Sequence, residues 1–272
     1  MSESLPTSET PKRAASLSAG QSAIGQTRCP RWLPGLATAL LIVAIFLAGR
    51  FASTATAWMI IAASMIVFVA VLGGCVKGRI LGILITERNV VSLSRLQVVV
   101  WTIIVLSAFV TIALKRVFYA ATPPIADPLA IMLPWQLWAL MGISTASLIG
   151  SPLVTANKET NQRRLAARRN AGVPYKSTRI ARAEAGDAEF ADMFRGDKDE
   201  NSDSIDVAKV QMFFFTIICA LAYAVVLGNW MVGKTPDQLS RFPVLADGLI
   251  ALLGISHAGY LSSKGIPDPE PQ

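Results

Sequence analysis

His257 is the single histidine of the 272-residue chain, and its three cysteines, Cys29, Cys75 and Cys219, are far apart in sequence. A lone imidazole in an apolar segment more often completes a local hydrogen bond than moves a proton. Without a second histidine, a buried carboxylate pair or a cysteine dyad, nucleophilic and metal catalysis lack their parts. The cysteine spacing predicts neither a metal site nor a disulfide framework. One acidic run has a ligand-like rhythm, since Asp197, Asp199, Asn201 and Asp203 alternate as in a calcium loop. There, however, Ser202 replaces the turn glycine, and Ala208 stands where a bidentate glutamate is needed. The run reads as a solvated cap on the following helix, with no catalytic residue, no metal and no cofactor implied.

A second set of candidates is uncharged. Gln97, Thr102, Gln211 and Thr216 lie near the starts of two apolar segments, and Ser144, Ser147, Ser256 and His257 lie within two others. These side chains could line a polar path through a bundle. The latter two segments also carry Gly142, Ala146 and Gly150, and Gly254, Ala258 and Ser262, at four-residue spacing. That spacing puts each trio on one helix face. Lipid tails are as apolar as leucine, so helices in a bilayer associate through close van der Waals contact, which small residues permit. Helix packing is therefore the expected use of the six small residues.

Composition supplies the elements that must position these groups. Apolar residues make up 53% of the chain and charged residues 16%, with a mean hydropathy of +0.48. A water-soluble domain carries more charge. Uncharged stretches approaching or exceeding the roughly 20 residues of a membrane span occur at 32–48, 51–76, 96–114, 128–157, 210–233 and 248–263. The expected fold is an all-α integral membrane helical bundle with six transmembrane helices. Pro134 and Pro243 are expected in the first turns of the fourth and sixth, where a missing N–H costs nothing. A disordered cytoplasmic tail (1–31) leads into a first transmembrane hairpin (32–76) and a basic connector (77–95). A second hairpin (96–157), a charged loop (158–206), a third hairpin (207–264) and a short tail (265–272) follow.

Basic residues set the orientation. With both termini in the cytoplasm, only Arg50, Lys115, Arg116, Lys234 and Arg241 of the 25 Lys and Arg fall outside, as the positive-inside rule prefers. Trp135, Trp138, Trp230 and Tyr119 then sit near the outer boundary, and the expected location is a bacterial inner membrane. Leader cleavage after Ala55-Thr56-Ala57 fits poorly because a second span follows at once. Lipid attachment at Leu72-Gly73-Gly74-Cys75 fits less well still, because that box follows two spans and faces inward.

The last two hairpins are alike. Ser94-Arg95-Leu96-Gln97 and Trp101-Thr102-Ile103-Ile104 match Ala208-Lys209-Val210-Gln211 and Phe215-Thr216-Ile217-Ile218, and GISTASLIGS at 142–151 matches GISHAGYLSS at 254–263. Polar residues in register argue for two parallel helical-hairpin repeats rather than shared composition. A Ser-Leu-x-Arg-x-Gln helix start, here Ser92 to Gln97, followed by Gly142-Ile143-Ser144 resembles uncharacterised bacterial multi-span membrane proteins. The resemblance covers roughly 80–155 and implies a membrane bundle without an assigned activity.

The loop at 158–206 is split in charge. Its basic half includes Arg163, Arg164, Arg168 and Arg169 beside a membrane exit, an arrangement suited to anionic lipid headgroups. Nucleic acid is not expected, since stacking aromatics are lacking there apart from Tyr175. No Asp, Glu, Lys or Arg falls at mid-span, which disfavours an ion-coupled carrier. The sequence thus points to a non-enzymatic membrane anchor or scaffold that self-associates and presents a charged surface to lipid and a cytoplasmic protein partner. The alternative is an uncoupled channel or small-solute pore lined by the matched Gln, Thr and Ser residues.

Overall fold

Prolines, small polar caps and glycines delimit six α-helices among the described residues. The computed structural model describes residues 29–119, 125–168, 181–196 and 204–265. The helices are α1 (Leu33–Phe51), α2 (Thr54–Lys77), α3 (Leu93–Phe118), α4 (Trp135–Arg168), α5 (Val207–Met231) and α6 (Asp247–Gly265). Among the described residues there is no strand, only three isolated bridges. Helices α1, α2, α3 and α5 are long and apolar enough to cross a membrane, so the protein is an all-helical, membrane-embedded chain.

Local chemistry explains most boundaries. A proline opens α1. The Ser53 hydroxyl accepts from Thr56 N at the start of α2, and Gly78 ends that helix in the left-handed conformation that glycine adopts without steric cost. The Asp206 carboxylate accepts from Ala208 N and Lys209 N at the start of α5, whereas the Ser92 side chain at the start of α3 makes no such bond. Pro134 directly precedes α4 rather than lying in its first turn. Pro243 does not open α6, which begins only at Asp247. Pro243 lies in an irregular stretch ahead of that helix, where its carbonyl accepts from the Tyr223 hydroxyl at 3.2 Å. The fourth helix also departs from its expected limits, because Pro128 stays in a loop and the helix continues through the basic stretch to Arg168.

Helices α1 and α2 form an antiparallel hairpin against α3, and α3, α4, α5 and α6 pack as a four-helix group. Only 11% of the apolar window of α1 or α2 is buried, against 44% for α3, which makes α3 the central helix. Around it Trp101, Val105, Ile112, Tyr223, Leu227 and Phe242 form the main core. The first hairpin also returns the chain to its beginning. Cys29 and Cys75 meet there with Cα atoms 4.8 Å apart and are disulfide-bonded, which corrects the expectation that the cysteines form no disulfide framework. Their sequence spacing concealed this, since the hairpin alone brings them together. Cys219 remains free and buried.

Each end of the bundle is closed by polar contacts. At one end the buried Arg116 guanidinium donates to three carbonyls, those of Pro128 at 2.9 Å, Asp127 at 3.0 Å and Leu239 at 3.4 Å, joining the two loops there. Gln136 Nε2 donates to Asp247 Oδ1 at 2.8 Å. At the other end the connector folds tightly. A 3-10 turn at Gly82–Leu84 packs its backbone on Gly73, so closely that a Cβ on either glycine would overlap main-chain atoms. Residues 181–196 lie over this connector.

Candidate functional site

Several polar side chains join one helix to another, while others bond to carbonyls of their own helix. Gln97 on α3 is fully buried, and its Nε2 donates to Thr216 Oγ1 on α5 at 2.8 Å. The Thr216 hydroxyl in turn donates to the Met212 carbonyl at 2.8 Å. On the facing pair of helices, Ser147 Oγ of α4 and His257 Nδ1 of α6 are hydrogen-bonded at 2.5 Å. Trp58 Nε1 of α2 donates to Ser107 Oγ of α3 at 3.0 Å. Such bonds between membrane helices contribute on the order of 0.6 kcal/mol each, and up to about 2. Two amide oxygens, Gln97 Oε1 and Gln136 Oε1, are buried with no hydrogen-bond partner.

The matched polar residues do not share one environment. Gln97 and Thr216 come together, as do Ser147 and His257, while Ser144 and Ser256 are also buried. Gln211 is exposed and Thr102 only half-buried. The buried stripe of α3 runs through Gln97, Trp101, Val105, Ala108 and Ile112, and that of α5 through Met212, Thr216, Ala220, Tyr223 and Leu227. Each α5 position is one residue beyond the sequence match. Helices α4 and α6 show the same displacement, with Leu137, Leu140, Ser144 and Ser147 answered by Ile250, Leu253, His257 and Tyr260. One residue is a rotation of roughly 100° about a helix axis. The second pair of helices is therefore turned relative to the first, and among the described residues the first hairpin, which packs on α3, has no counterpart beside α5.

The small residues are divided similarly. Gly142, Ala146, Ala258 and Ser262 are exposed on the single chain, and a Cβ on Gly142 would meet no atom within 4 Å. Gly150 faces Leu261 across ordinary contact distances, and Gly254 faces Ile143 in the same way. The α4–α6 contact thus uses the serine and histidine face, leaving the other small residues outward.

Residues 181–196 of the charged loop are held against the connector. Arg182 N donates to the Arg88 carbonyl, and Asn89 Nδ2 donates to the carbonyls of Arg182 and Ala183. Arg79 donates to the carbonyls of Gly186 and Ala188. Arg182 pairs with Asp192 at 2.6 Å, and Arg195 pairs with Glu189 at 3.0 Å. The hydrogen bond to Asp192 raises the Arg182 pKa further above its usual value despite some burial. Beneath these pairs, Leu84, Ile85, Val91, Met193, Met212 and Tyr260 form a second apolar core. The side chains of Arg163, Arg164 and Arg168, together with Arg169 and the calcium-like run at 197–203, lie outside the described residues.

Sequence reasoning missed Arg116, the Trp58–Ser107 bond and the segment at 181–196. Arg116 offered the best signal, being a charge at a helix end with no acidic neighbour in sequence. Among the described residues no cluster of metal-ligating side chains occurs. Comparison with family models, with curated proteins and with solved structures gives no match.

Proposed function

We propose that the chain is a non-enzymatic scaffold of a bacterial inner membrane. In this reading α4 and α6 cross the bilayer together with the four more apolar helices, and both termini face the cytoplasm. The single observation carrying it is that buried polar side chains tie one helix to another, above all in the Gln97–Thr216 and Ser147–His257 bonds. Such bonds fix a bundle. The contacts closing both bundle ends support the same reading. Outward Gly142, Ala146, Ala258 and Ser262 would seat a second copy, the basic stretch around Arg163 and Arg168 would meet anionic headgroups, and the charged cytoplasmic surface would receive a protein partner. The two last hairpins are read as parallel repeats whose faces have since rotated apart.

A pore is the second reading, favoured by the partnerless Gln97 Oε1 and Gln136 Oε1, which a passing polar solute would satisfy. A flux assay on the purified chain in liposomes separates the two. A scaffold gives ion and small-solute leakage no higher than empty vesicles, and Gln97→Leu changes nothing. Selective flux that Gln97→Leu alters would establish the pore instead.

A further inference from the structure

The segment at 189–196 ends in an aromatic edge that continues a bare helix face. Phe214, Ile218, Leu221 and Val225 on α5 are each more than half exposed and fall at spacings of four, three and four, so they form one stripe. Because α5 is a membrane-capable helix, acyl chains are what cover that stripe. Phe213 beside it stacks edge-on with Phe194 at 5.1 Å and approaches Phe190 at 6.5 Å. Phe190 is itself 50% exposed.

Charge placement at this edge fits a headgroup boundary. Asp192 is buried against Arg182, and the more exposed Glu189 is held by Arg195, so these two acids beside the aromatic edge are paired with arginine. Arg195 retains partial exposure, where a lipid phosphate can reach it. Apolar side chains beside paired charges suit the zone between acyl chains and water, where aromatic rings concentrate.

We propose that Phe190 inserts into the cytoplasmic leaflet and pins residues 189–196 to the lipid surface as an extension of the α5 stripe. The partner of this surface is phospholipid, at the level where headgroups meet acyl chains. The inference rests on the membrane-scaffold reading and makes a loop element, not only a basic stretch, part of the lipid contact.

Photo-crosslinking tests it on the full chain. Benzoylphenylalanine replaces Phe190 in one variant and Ile218 in another, each reconstituted into phosphatidylethanolamine–phosphatidylglycerol vesicles, and mass spectrometry reads the adducts. The expected result is a lipid adduct at both positions in comparable yield. An adduct at 218 with none at 190, or at 190 only crosslinks to protein, overturns the insertion while leaving the bundle in the membrane. No lipid adduct at 218 overturns the membrane-embedded reading and the insertion together.

Discussion

Gln97 shows how differently two substitutions at one contact should behave. Its Nε2 is bonded to Thr216 while its Oε1 is buried and unpaired. Gln97→Leu removes both polar atoms and keeps similar volume, so unfolding in detergent micelles should shift by less than about 1 kcal/mol. Thr216→Val instead strands the amide donor and should cost about 1–3 kcal/mol. Denaturant titrations of the two variants check this order, and the reverse order would mean that the amide lies elsewhere. The sequence revealed both residues as candidates but not their pairing. Register matched Gln97 to Gln211, which is exposed, because a rotation of one residue leaves the letters aligned while turning the faces apart.

At the scale of elements, the apolar runs of α1, α2, α3 and α5 were legible because hydropathy alone defines them. Their joints were not. The Gly73–Gly82 contact leaves no room for a Cβ, so Gly82→Ala should cost about 1–3 kcal/mol through overpacking, measurable as a lower unfolding midpoint. Pro243 misled as a helix-start signal because a tertiary bond, from the Tyr223 hydroxyl to its carbonyl, ties it down ahead of α6. The Cys29–Cys75 pair was invisible for the reason already given, that two hairpin arms close a gap of 46 residues. If this end faces the cytoplasm, where disulfides are kept reduced, both thiols should be alkylated in intact cells and should bond only after oxidation. Recovery of the bond directly from cells would put that end in an oxidising compartment and reverse the orientation.

For the whole molecule, the all-helical class followed from composition, whereas the ordered cap at 181–196 did not. Its two short 3-10 turns have no periodicity to read, and its stability comes from Arg79, Asn89 and Arg88, which lie about a hundred residues away in sequence. Self-association belongs to this scale too. Because Gly142 borders open space, Gly142→Leu should leave the unfolding midpoint unchanged yet convert an oligomer to a monomer in light scattering. A monomeric wild type would remove that role from the exposed small residues. The most direct test is sidedness, with Asp187→Cys and Asp237→Cys made separately in a chain whose native cysteines are replaced, and with impermeant maleimide applied to spheroplasts. A membrane-crossing α5 with the cap inside predicts labelling at 237 and none at 187 until the membrane is opened. Labelling of both positions in sealed spheroplasts would contradict it.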